Sequence, residues 1–314
     1  MNVLSLCGGL EAGRIALDLL EYPEINYYSS EIDKYAIKIS SKNYPDIKHL
    51  GDMRNWKSWK LPRKIDLIIC GSPCQSFSAV GDLGGFDDPR GELFFIFVEI
   101  LRYFKPDFWM SENVLTKKAW VDIINYHLRT EPIIINSSLV SAQNRRRNYW
   151  SNMPISQPMD RGILLKDVLL EKPSENLFHS LKARDYMSRE VKGGRTHWEF
   201  RHHSDTDNEK SSAVVANFFK GVPYNVLIDR RRSNCFRYEC DFQDNQQCDC
   251  RDGDGYQEGN IETSVIRKFD PVECERLQTI PDNYTEGVSN TQRYKMIGNS
   301  WTVEAIMHIF RNML

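Results

Sequence analysis

Short apolar runs alternate with amphipathic segments through the first half of the chain. The apolar runs that we interpret as strands lie at residues 2–6, 25–30, 65–69 and 106–111. Each is followed by a segment whose apolar positions recur at helical spacing. Strands that alternate with helices favour a parallel sheet with helices packed on its faces. Two further apolar runs, 133–140 and 148–150, predict a β-hairpin that completes the sheet.

The regular pattern fades beyond residue 154. Residues 160–265 contain polar clusters, short strands and turns, which is consistent with a second, smaller lobe. Periodicity returns at Pro271, which begins a predicted helix that extends to Ile280. A Gly298-Asn299-Ser300 turn then precedes a final amphipathic helix at 302–314, and we expect this turn to lie at the helix N-terminus.

Composition limits the classes of protein to consider. Of the 314 residues, 41% are hydrophobic and 27% are charged, as is usual for a globular protein in water. No apolar run approaches the ~20 residues needed to span a bilayer, and the first residues do not form a signal peptide. The eight cysteines are too few and too unevenly spaced for a disulfide scaffold, so we expect a reducing, cytoplasmic compartment.

The net charge of -2 gives no overall signature of a nucleic-acid partner, so any such signal must be local. Residues 184–232 hold 10 Lys/Arg against 7 Asp/Glu, and Arg195 lies there beside Gly, His and Trp. Basic, aromatic and flexible residues mixed in this way are typical of DNA-binding surfaces. The next stretch, 233–262, has 2 Arg against 8 Asp/Glu. Its four cysteines match no common zinc spacing, so we favour a solvated acidic insertion over a metal site.

The glycine-rich turn after the first strand is a candidate ligand loop. Gly8, Gly9 and Gly13 stand between a strand and a helix, where backbone N–H groups can approach a ligand closely. Glu31 closes the second strand, and an acid there commonly accepts the ribose hydroxyls of an adenosine cofactor. Asp33 is the better candidate for the N-cap of the next helix. Asp52 is placed to accept an adenine amino proton, so the strand ends together predict an adenosine pocket.

Cys74 follows the third main strand on a Gly-Ser-Pro-Cys-Gln loop, where a thiol is a candidate nucleophile. Glu112 ends the next strand and is a carboxylic acid beside that thiol, which suits attack on a ring with simultaneous protonation. The glycine-rich stretch 77–91 is a predicted mobile lid. Arg145, Arg146 and Arg147 connect two strands at the same edge, where contact with phosphate or base is favoured over a solvated turn.

Taken in order, these motifs resemble those of the DNA (cytosine-5) methyltransferase family. The shared elements, over nearly the whole chain, are the Gly-rich first loop, Glu31, Asp52, Ser72-Pro73-Cys74-Gln75, Glu112-Asn113-Val114, Gln143-Asn144-Arg145-Arg146-Arg147, 269–278 and Gly298-Asn299-Ser300. Other stretches, such as Gly51-Asp52-Met53-Arg54 and Ser300-Trp301, resemble the catalytic domain of the animal de novo DNA methyltransferases. The length fits a bacterial or phage member, which we expect to be nucleoid-associated.

The resemblance implies an α/β, Rossmann-like, S-adenosylmethionine-dependent methyltransferase fold with a second, smaller DNA-recognition lobe. We therefore expect a catalytic and cofactor-binding domain at 1–159 and a target-recognition lobe at 160–265, with the acidic insertion at about 233–262. The segment 266–314 is expected to return to the catalytic domain. The implied partner is duplex DNA, with no metal and no membrane.

The family's functional residues carry over by motif. The expected catalytic residues are Cys74, Glu112 and Arg147. The residues expected to bind S-adenosylmethionine, or its product S-adenosylhomocysteine, are Leu6, Cys7, Gly8, Gly9, Leu10, Glu11, Glu31, Ile32, Asp52, Met53, Gly71, Pro73, Leu93, Asn299, Ser300 and Trp301. The residues expected to contact DNA are Ser78, Asn113, Arg145 and Arg195. One departure is Cys7, since the family usually has Phe there, packed against the adenine.

The implied reaction methylates C5 of a cytosine flipped out of duplex DNA. Cys74 adds to C6 as thiolate while Glu112 supplies a proton at N3. Three alternatives stay open: a tRNA cytosine-5 methyltransferase, a non-catalytic DNA-binding module that has kept the fold, and a thiol oxidoreductase that uses Cys70 with Cys74. The last is disfavoured because Cys70 ends a buried strand.

Overall fold

A computed structural model describes residues 1–71, 91–179, 181–191, 195–196, 204–205, 209–222, 224–229 and 265–313. Its strands are β1 (Asn2–Leu6), β2 (Asn26–Ser30), β3 (Lys48–His49), β4 (Leu67–Cys70), β5 (Phe108–Val114), β6 (Ile133–Asn136), β7 (Gln143–Asn144), β8 (Arg146–Ser151), β9 (Glu190–Val191), β10 (Arg195–Thr196), β11 (Ser204–Asp205), β12 (Ser211–Ser212), β13 (Leu227–Asp229) and β14 (Val265–Arg267). Its α-helices are α1 (Ala12–Leu19), α2 (Lys34–Asn43), α3 (Glu92–Phe104), α4 (Lys118–Leu128), α5 (Leu165–Val168), α6 (Leu181–Ser188), α7 (Pro271–Leu277), α8 (Asn290–Asn299) and α9 (Val303–Phe310).

Seven strands form one central sheet in the order β3-β2-β1-β4-β5-β8-β6. The first five in that order are parallel, and β8 runs antiparallel to both β5 and β6. The predicted hairpin is therefore confirmed, and it completes the sheet at one edge. Because β1, β2, β4 and β5 are parallel, their carboxyl ends meet at the same edge of the sheet.

Both faces of the sheet are covered. Alternate residues of β1 and β4 enter two separate apolar cores, with Val3 and Leu67 in one and Leu4 and Ile68 in the other. Helices α1, α2 and α9 supply the first core, and α3 and α4 supply the second. A strand buried on both sides has a nearly continuous apolar sequence, which is why the runs 65–69 and 106–111 are recognisable without alternation.

The carboxyl-terminal helices complete the first core, because α9 packs against α1 through a buried set that includes Ile306 and Ile309. Pro271 begins α7 as expected, with Asp270 as its N-cap and Glu273 closing a capping box. The expected position of the Gly298-Asn299-Ser300 turn was wrong. These residues end α8, a polar helix that the sequence did not indicate, and Ser300 is its C-cap.

Helix α8 also contacts the segment 160–265, which the sequence predicts to be a second lobe. Gly298 lies against the backbone of Val215 and Ala216 so closely that a Cβ there would overlap it. Tyr294 and Ile297 on the same helix join Phe218 and Phe269 in a third apolar core. A glycine in the last turn of this helix is thus explained by the close approach of a neighbouring backbone.

The described residues of the predicted second lobe form small sheets, one of them with the order β11-β13-β14. This sheet is fastened to α7 by a fully buried charge cluster. Arg267 on β14 contacts Asp229 on β13 at 3.0 Å, and its second and third nitrogens donate to both carboxylate oxygens of Glu273 at 2.8 and 2.9 Å. No helix among the described residues is long and apolar enough to cross a membrane.

Candidate active site

The glycine-rich loop between β1 and α1 turns sharply at the carboxyl edge of the sheet. Cys7, Gly9 and Glu11 all have positive φ, at 55°, 59° and 66°, so every second residue of this turn adopts the left-handed backbone conformation. The backbone N–H of Cys7 donates to the carbonyl of Ser30 at 2.8 Å. The loop is therefore tied to the end of β2, next to Glu31.

Glu31 holds this loop through its side chain. Its Oε2 accepts from the Gly9 N–H at 2.8 Å, and its Oε1 accepts from the N–H groups of Ile32 and Asp33 at 2.7 and 2.8 Å. A carboxylate has about four acceptor sites, so one remains beyond these three bonds. Asp33 caps α2 by accepting from Tyr35 N–H at 2.8 Å, which confirms that prediction.

A pocket opens beside Glu31 at the ends of β2 and β3. The residues that line it are Cys7, Ser30, Glu31, Ile32, Asp52, Met53, Arg54 and Leu93. Asp52 caps the short 3₁₀-helix Met53–Ser58 by accepting from Arg54 N–H, and its other oxygen pairs with the Arg54 guanidinium at 3.0 Å. Six of the expected cofactor residues thus share one wall.

Cys7 is a neutral thiol in this pocket. Its Sγ lies 3.6 Å from Sδ of Met53. Burial, with Glu31 and Asp52 nearby, raises the pKa of Cys7 to about 12, so the thiolate that a nucleophile needs is scarce at neutral pH. Cys7 can line the pocket, as its position where the family has Phe suggests, but it is a poor nucleophile.

The residues present fit an adenosine cofactor. Among the described residues, none would lie within 4 Å of a Cβ added at Gly9, so this part of the chain leaves the loop backbone open on that side. Carboxylates stand at the ends of β2 and beyond β3, which is where hydroxyl and amino donors of an adenosine would need acceptors. Of the other residues predicted here, Gly8 and Leu10 belong to the same loop and Leu6 ends β1; the side chains of Leu6 and Leu10 are fully buried in the apolar cores.

Glu11 faces inward instead of toward the pocket. Its carboxylate is fully buried, accepts from the Ser29 hydroxyl and fills the space where a Gly8 Cβ would lie. Its Oε2 has no hydrogen-bond partner among the described residues. Burial raises the pKa of Glu11 to about 7 from an ordinary value of 4.5. The sequence did not indicate this buried acid beneath the loop.

Glu11 is expected to make folding stability depend on pH. The folded state binds this proton more tightly than the unfolded state. The stabilisation that the Glu11 proton contributes is therefore fully present below about pH 4.5 and is lost as the pH rises through about 7. Between pH 5 and 8, the free energy of unfolding of the wild type relative to Glu11→Gln should fall by about 2–3 kcal/mol. Urea titrations of both proteins across that range measure it, and a difference that stays constant with pH would contradict this assignment.

The acid expected to act on substrate, Glu112, lies near the end of β5. Its carboxyl group is buried between a cation and a hydrogen-bond donor: Arg147 Nε forms an ion pair with Oε1 at 3.0 Å, and Trp301 Nε1 donates to Oε2 at 3.0 Å. Burial raises the pKa of Glu112, although Arg147, Arg145 and the Trp301 hydrogen bond each oppose the rise. A buried acid that favours the protonated form can donate a proton.

Strand pairing explains how these groups meet. Glu112 on β5 is opposite Tyr149 on β8, and Val114 is opposite Arg147, so Arg147 reaches Glu112 diagonally across the two strands. On the other side, Cys70 at the end of β4 pairs with Ser111. The end of β4 therefore lies beside the strand segment that carries Glu112. Cys70 itself is fully buried.

Arg145 does not fit its predicted contact with DNA. The residue is only 4% exposed, and its guanidinium donates to the carbonyls of Val214, Gly298 and Ser300 at 2.8, 3.2 and 2.8 Å. These bonds join the β7–β8 connection to the second lobe and to the end of α8. Arg145 therefore links buried backbone segments to one another. Of Arg145 and Arg147, only Arg147 forms an ion pair with Glu112.

The structure describes some of the remaining predicted site residues and not others. Asn113 is buried, and its Oδ1 accepts from Val114 N–H at 2.8 Å. Arg195 lies on β10, where the backbone alone is described. Pro73, Cys74, Ser78 and most of the predicted lid lie outside the described residues, as do the four cysteines of the acidic tract. Among the described residues no group of His, Cys, Asp or Glu is arranged to hold a metal ion.

Comparison with known proteins adds to this geometry. The model of the C-5 cytosine-specific DNA methylase family matches residues 1–314. The chain is 30% identical to the type II methyltransferase M.HpaII of Haemophilus parainfluenzae, over 99% of the chain and 88% of that protein. It is 29% identical to M1.ScrFI of Lactococcus lactis subsp. cremoris, over 100% and 78%. Its fold is similar to that of a DNMT2 mutant from Spodoptera frugiperda, with a TM-score of 0.68, 18% identity and 99% of each chain covered.

Proposed function

The chain belongs to the C-5 cytosine-specific DNA methylase family, and from that premise we propose that it methylates C5 of a flipped cytosine in duplex DNA through a covalent bond between Cys74 and C6. As a member of that family it is a DNA cytosine-5 methyltransferase. The covalent step, the flipped base and the methyl donor are the proposed parts.

The observation that carries the proposal is the setting of Glu112. This buried acid, whose pKa is raised, lies near the end of β5, which pairs with β4. Strand β4 ends at Cys70, four residues before Cys74 in the chain. Attack of a thiolate at C6 of cytosine pushes an electron pair toward N3, and a proton given there by Glu112 avoids a bare carbanion. The pairing of acid and nucleophile on adjacent strand ends is what this reaction requires.

Arg147 supports the acid in this mechanism. Its Nε lies on the Oε1 side of Glu112, and its Nη1 donates to the Arg146 carbonyl at 2.8 Å. After the proton leaves for N3, the guanidinium stabilises the carboxylate that remains. When C5 has gained its methyl group, the C5 proton is lost to solvent, Cys74 leaves C6 as thiolate, and the N3 proton returns to Glu112, which restores the aromatic ring of a neutral 5-methylcytosine.

S-adenosylmethionine, which the family implies, supplies an electrophilic methyl group when bound. The residues that would hold it are those of the open loop and pocket, chiefly Gly9, Glu31, Asp52 and Leu93. Glu31 would offer its remaining acceptor site to ribose, and Asp52 would face the adenine amino group. Leu93, at the start of α3, supplies an apolar wall beside Cys7.

Duplex DNA is the proposed substrate. Flipping brings a base that is otherwise stacked to the strand ends where Glu112 lies. The second lobe, with its local positive charge around Arg195, is the proposed reader of the target sequence. Ser78 and Asn113 are proposed contacts with the flipped nucleotide or its phosphates.

The test uses the purified chain with isotopically labelled S-adenosylmethionine and two substrates, duplex DNA and tRNA. The proposal predicts that label enters duplex DNA as 5-methylcytosine, identified by nucleoside mass spectrometry, and that Cys74→Ser removes it. Label that enters tRNA and not DNA would contradict the choice of substrate. No transfer to either would favour a DNA-binding module that has kept the fold.

A further inference from the structure

Trp301 lies where three parts of the site meet. Its indole Nε1 donates to Glu112 Oε2 at 3.0 Å, and the residue is 7% exposed. The same ring covers Gly71, the residue after β4, so closely that a Cβ there would lie 3.0 Å from Cζ2 and 3.1 Å from Nε1. One side chain therefore contacts both the acid and the strand end that leads to Cys74.

The backbone on both sides of Trp301 is held in place. The Ser300 carbonyl accepts from Arg145 at 2.8 Å and from Gln278 Nε2 at 3.2 Å. The Thr302 hydroxyl donates to Gln278 Oε1 at 2.8 Å and is bonded to the Ser137 hydroxyl at 2.8 Å. These bonds are buried, so the connection between α8 and α9 directs the indole toward Glu112 with little freedom.

The two oxygens of Glu112 face groups of different kinds, an ion-pair partner at Oε1 and a hydrogen-bond donor at Oε2. Arg147 on β8 is a cation, whereas Trp301 from the carboxyl-terminal segment is neutral. The charge of Arg145 also lowers the pKa of Glu112, and Glu112 in turn raises the pKa of the buried Tyr149 hydroxyl. A further cation at Oε2 would favour the ionised carboxylate more strongly. A neutral N–H orients the carboxyl group and leaves burial able to favour the protonated form.

We propose that Trp301 is a positioning residue whose indole N–H fixes the orientation of the Glu112 carboxyl group toward the target base. The proposal rests on the proposed function of Glu112 as the acid of cytosine methylation. It goes beyond the expectation that Trp301 binds the cofactor, because it assigns an effect of the side chain on Glu112.

Trp301→Phe keeps an aromatic ring and removes the donor. Because the hydrogen bond favours the ionised form, its loss should raise the pKa of Glu112, by about one pH unit. The titration of Glu112 is followed in the free protein by ¹³C NMR of labelled glutamate carboxyls, with Glu112→Gln to assign the signal. Trp150→Phe is the matched control, since Trp150 is a buried indole that donates to Asn125 Oδ1 at 2.7 Å. The control should leave the Glu112 titration unchanged.

Kinetics distinguish positioning from cofactor binding. In single-turnover methylation, Trp301→Phe should lower the rate about tenfold and move the pH profile upward by about one unit. In the Glu112→Gln background the same change should lower the rate less than about twofold, because residues that act as a unit are not additive. The affinity for S-adenosylhomocysteine, measured by calorimetry, should be within about threefold of the wild type.

The outcomes separate the two proposals. If wild-type protein methylates DNA but Trp301→Phe leaves the Glu112 titration and the pH profile unchanged, the positioning role is overturned. Rate losses that multiply in the double variant would also overturn it. If the titration moves as expected but the wild type transfers no methyl group, the proposed function fails and the contact stands. Should Trp301→Phe not fold, benzothienylalanine at position 301 replaces the N–H by sulfur with the ring shape kept.

Discussion

Glu112→Gln is expected to lower the single-turnover rate of DNA methylation by about 10²–10⁴-fold, the usual contribution of a positioned general acid. The amide is close to the carboxyl group in shape and has hydrogen-bonding atoms of its own, but it has no proton of suitable pKa to give to N3. Binding of cofactor and DNA should change little, because the substitution leaves the cofactor pocket unaltered. Quenched-flow assays with protein in excess over DNA measure the chemical step separately from product release.

Glu99→Gln is the matched control for this change, since Glu99 lies on the exposed side of α3 with its side chain 57% exposed. It should retain the wild-type rate. A Glu112→Gln protein that methylates within about fivefold of the wild type would show that the proton at N3 comes from another group.

Arg267→Met is expected to give the largest loss of stability. The substitution leaves Asp229 and Glu273 without the guanidinium that links them, and all three side chains are fully buried. Removing one partner from a buried ionic group typically costs about 3–5 kcal/mol. The free energy of unfolding, from urea denaturation followed by circular dichroism, should fall by that amount.

Arg276→Met is the control, because Arg276 lies on α7, the helix that carries Glu273, and pairs with Asp282 in a partly exposed salt bridge. Such pairs contribute about 0–1 kcal/mol. Equal losses of unfolding free energy in the two variants would contradict a stabilising role for the contacts of Arg267 with Asp229 and Glu273.

Much of the fold follows from local signals. Strands β1, β4 and β6 are short, largely apolar runs, and α2 begins where Asp33 can cap it. The fold class, the sheet and the hairpin of β6 and β8 were therefore predicted correctly. The same signals place Glu31, Asp52 and Glu112 at or close to strand ends, since parallel strands deliver their carboxyl ends to one edge.

Other features depend on contacts between distant residues. Helix α8 is polar and ends in Gly298 and Asn299, so its sequence looks like a turn, and it is stabilised by the second lobe packed on its last turn. Arg145 and Arg147 belong to the same run of arginines, so the sequence does not distinguish them. Only the tertiary structure shows that Arg145 is buried. No local pattern links Trp301 to Glu112, which are 189 positions apart.

The covalent step is tested most directly by trapping the chain on duplex DNA that contains 5-fluorocytosine at its target. The account predicts a stable protein–DNA adduct, formed only with S-adenosylmethionine, whose crosslinked peptide contains Cys74. Cys74→Ser should abolish the adduct, whereas Cys7→Ser should retain it, because the pKa of Cys7 is raised to about 12. An adduct on another cysteine, or methylation of unmodified DNA without any adduct, would contradict the account.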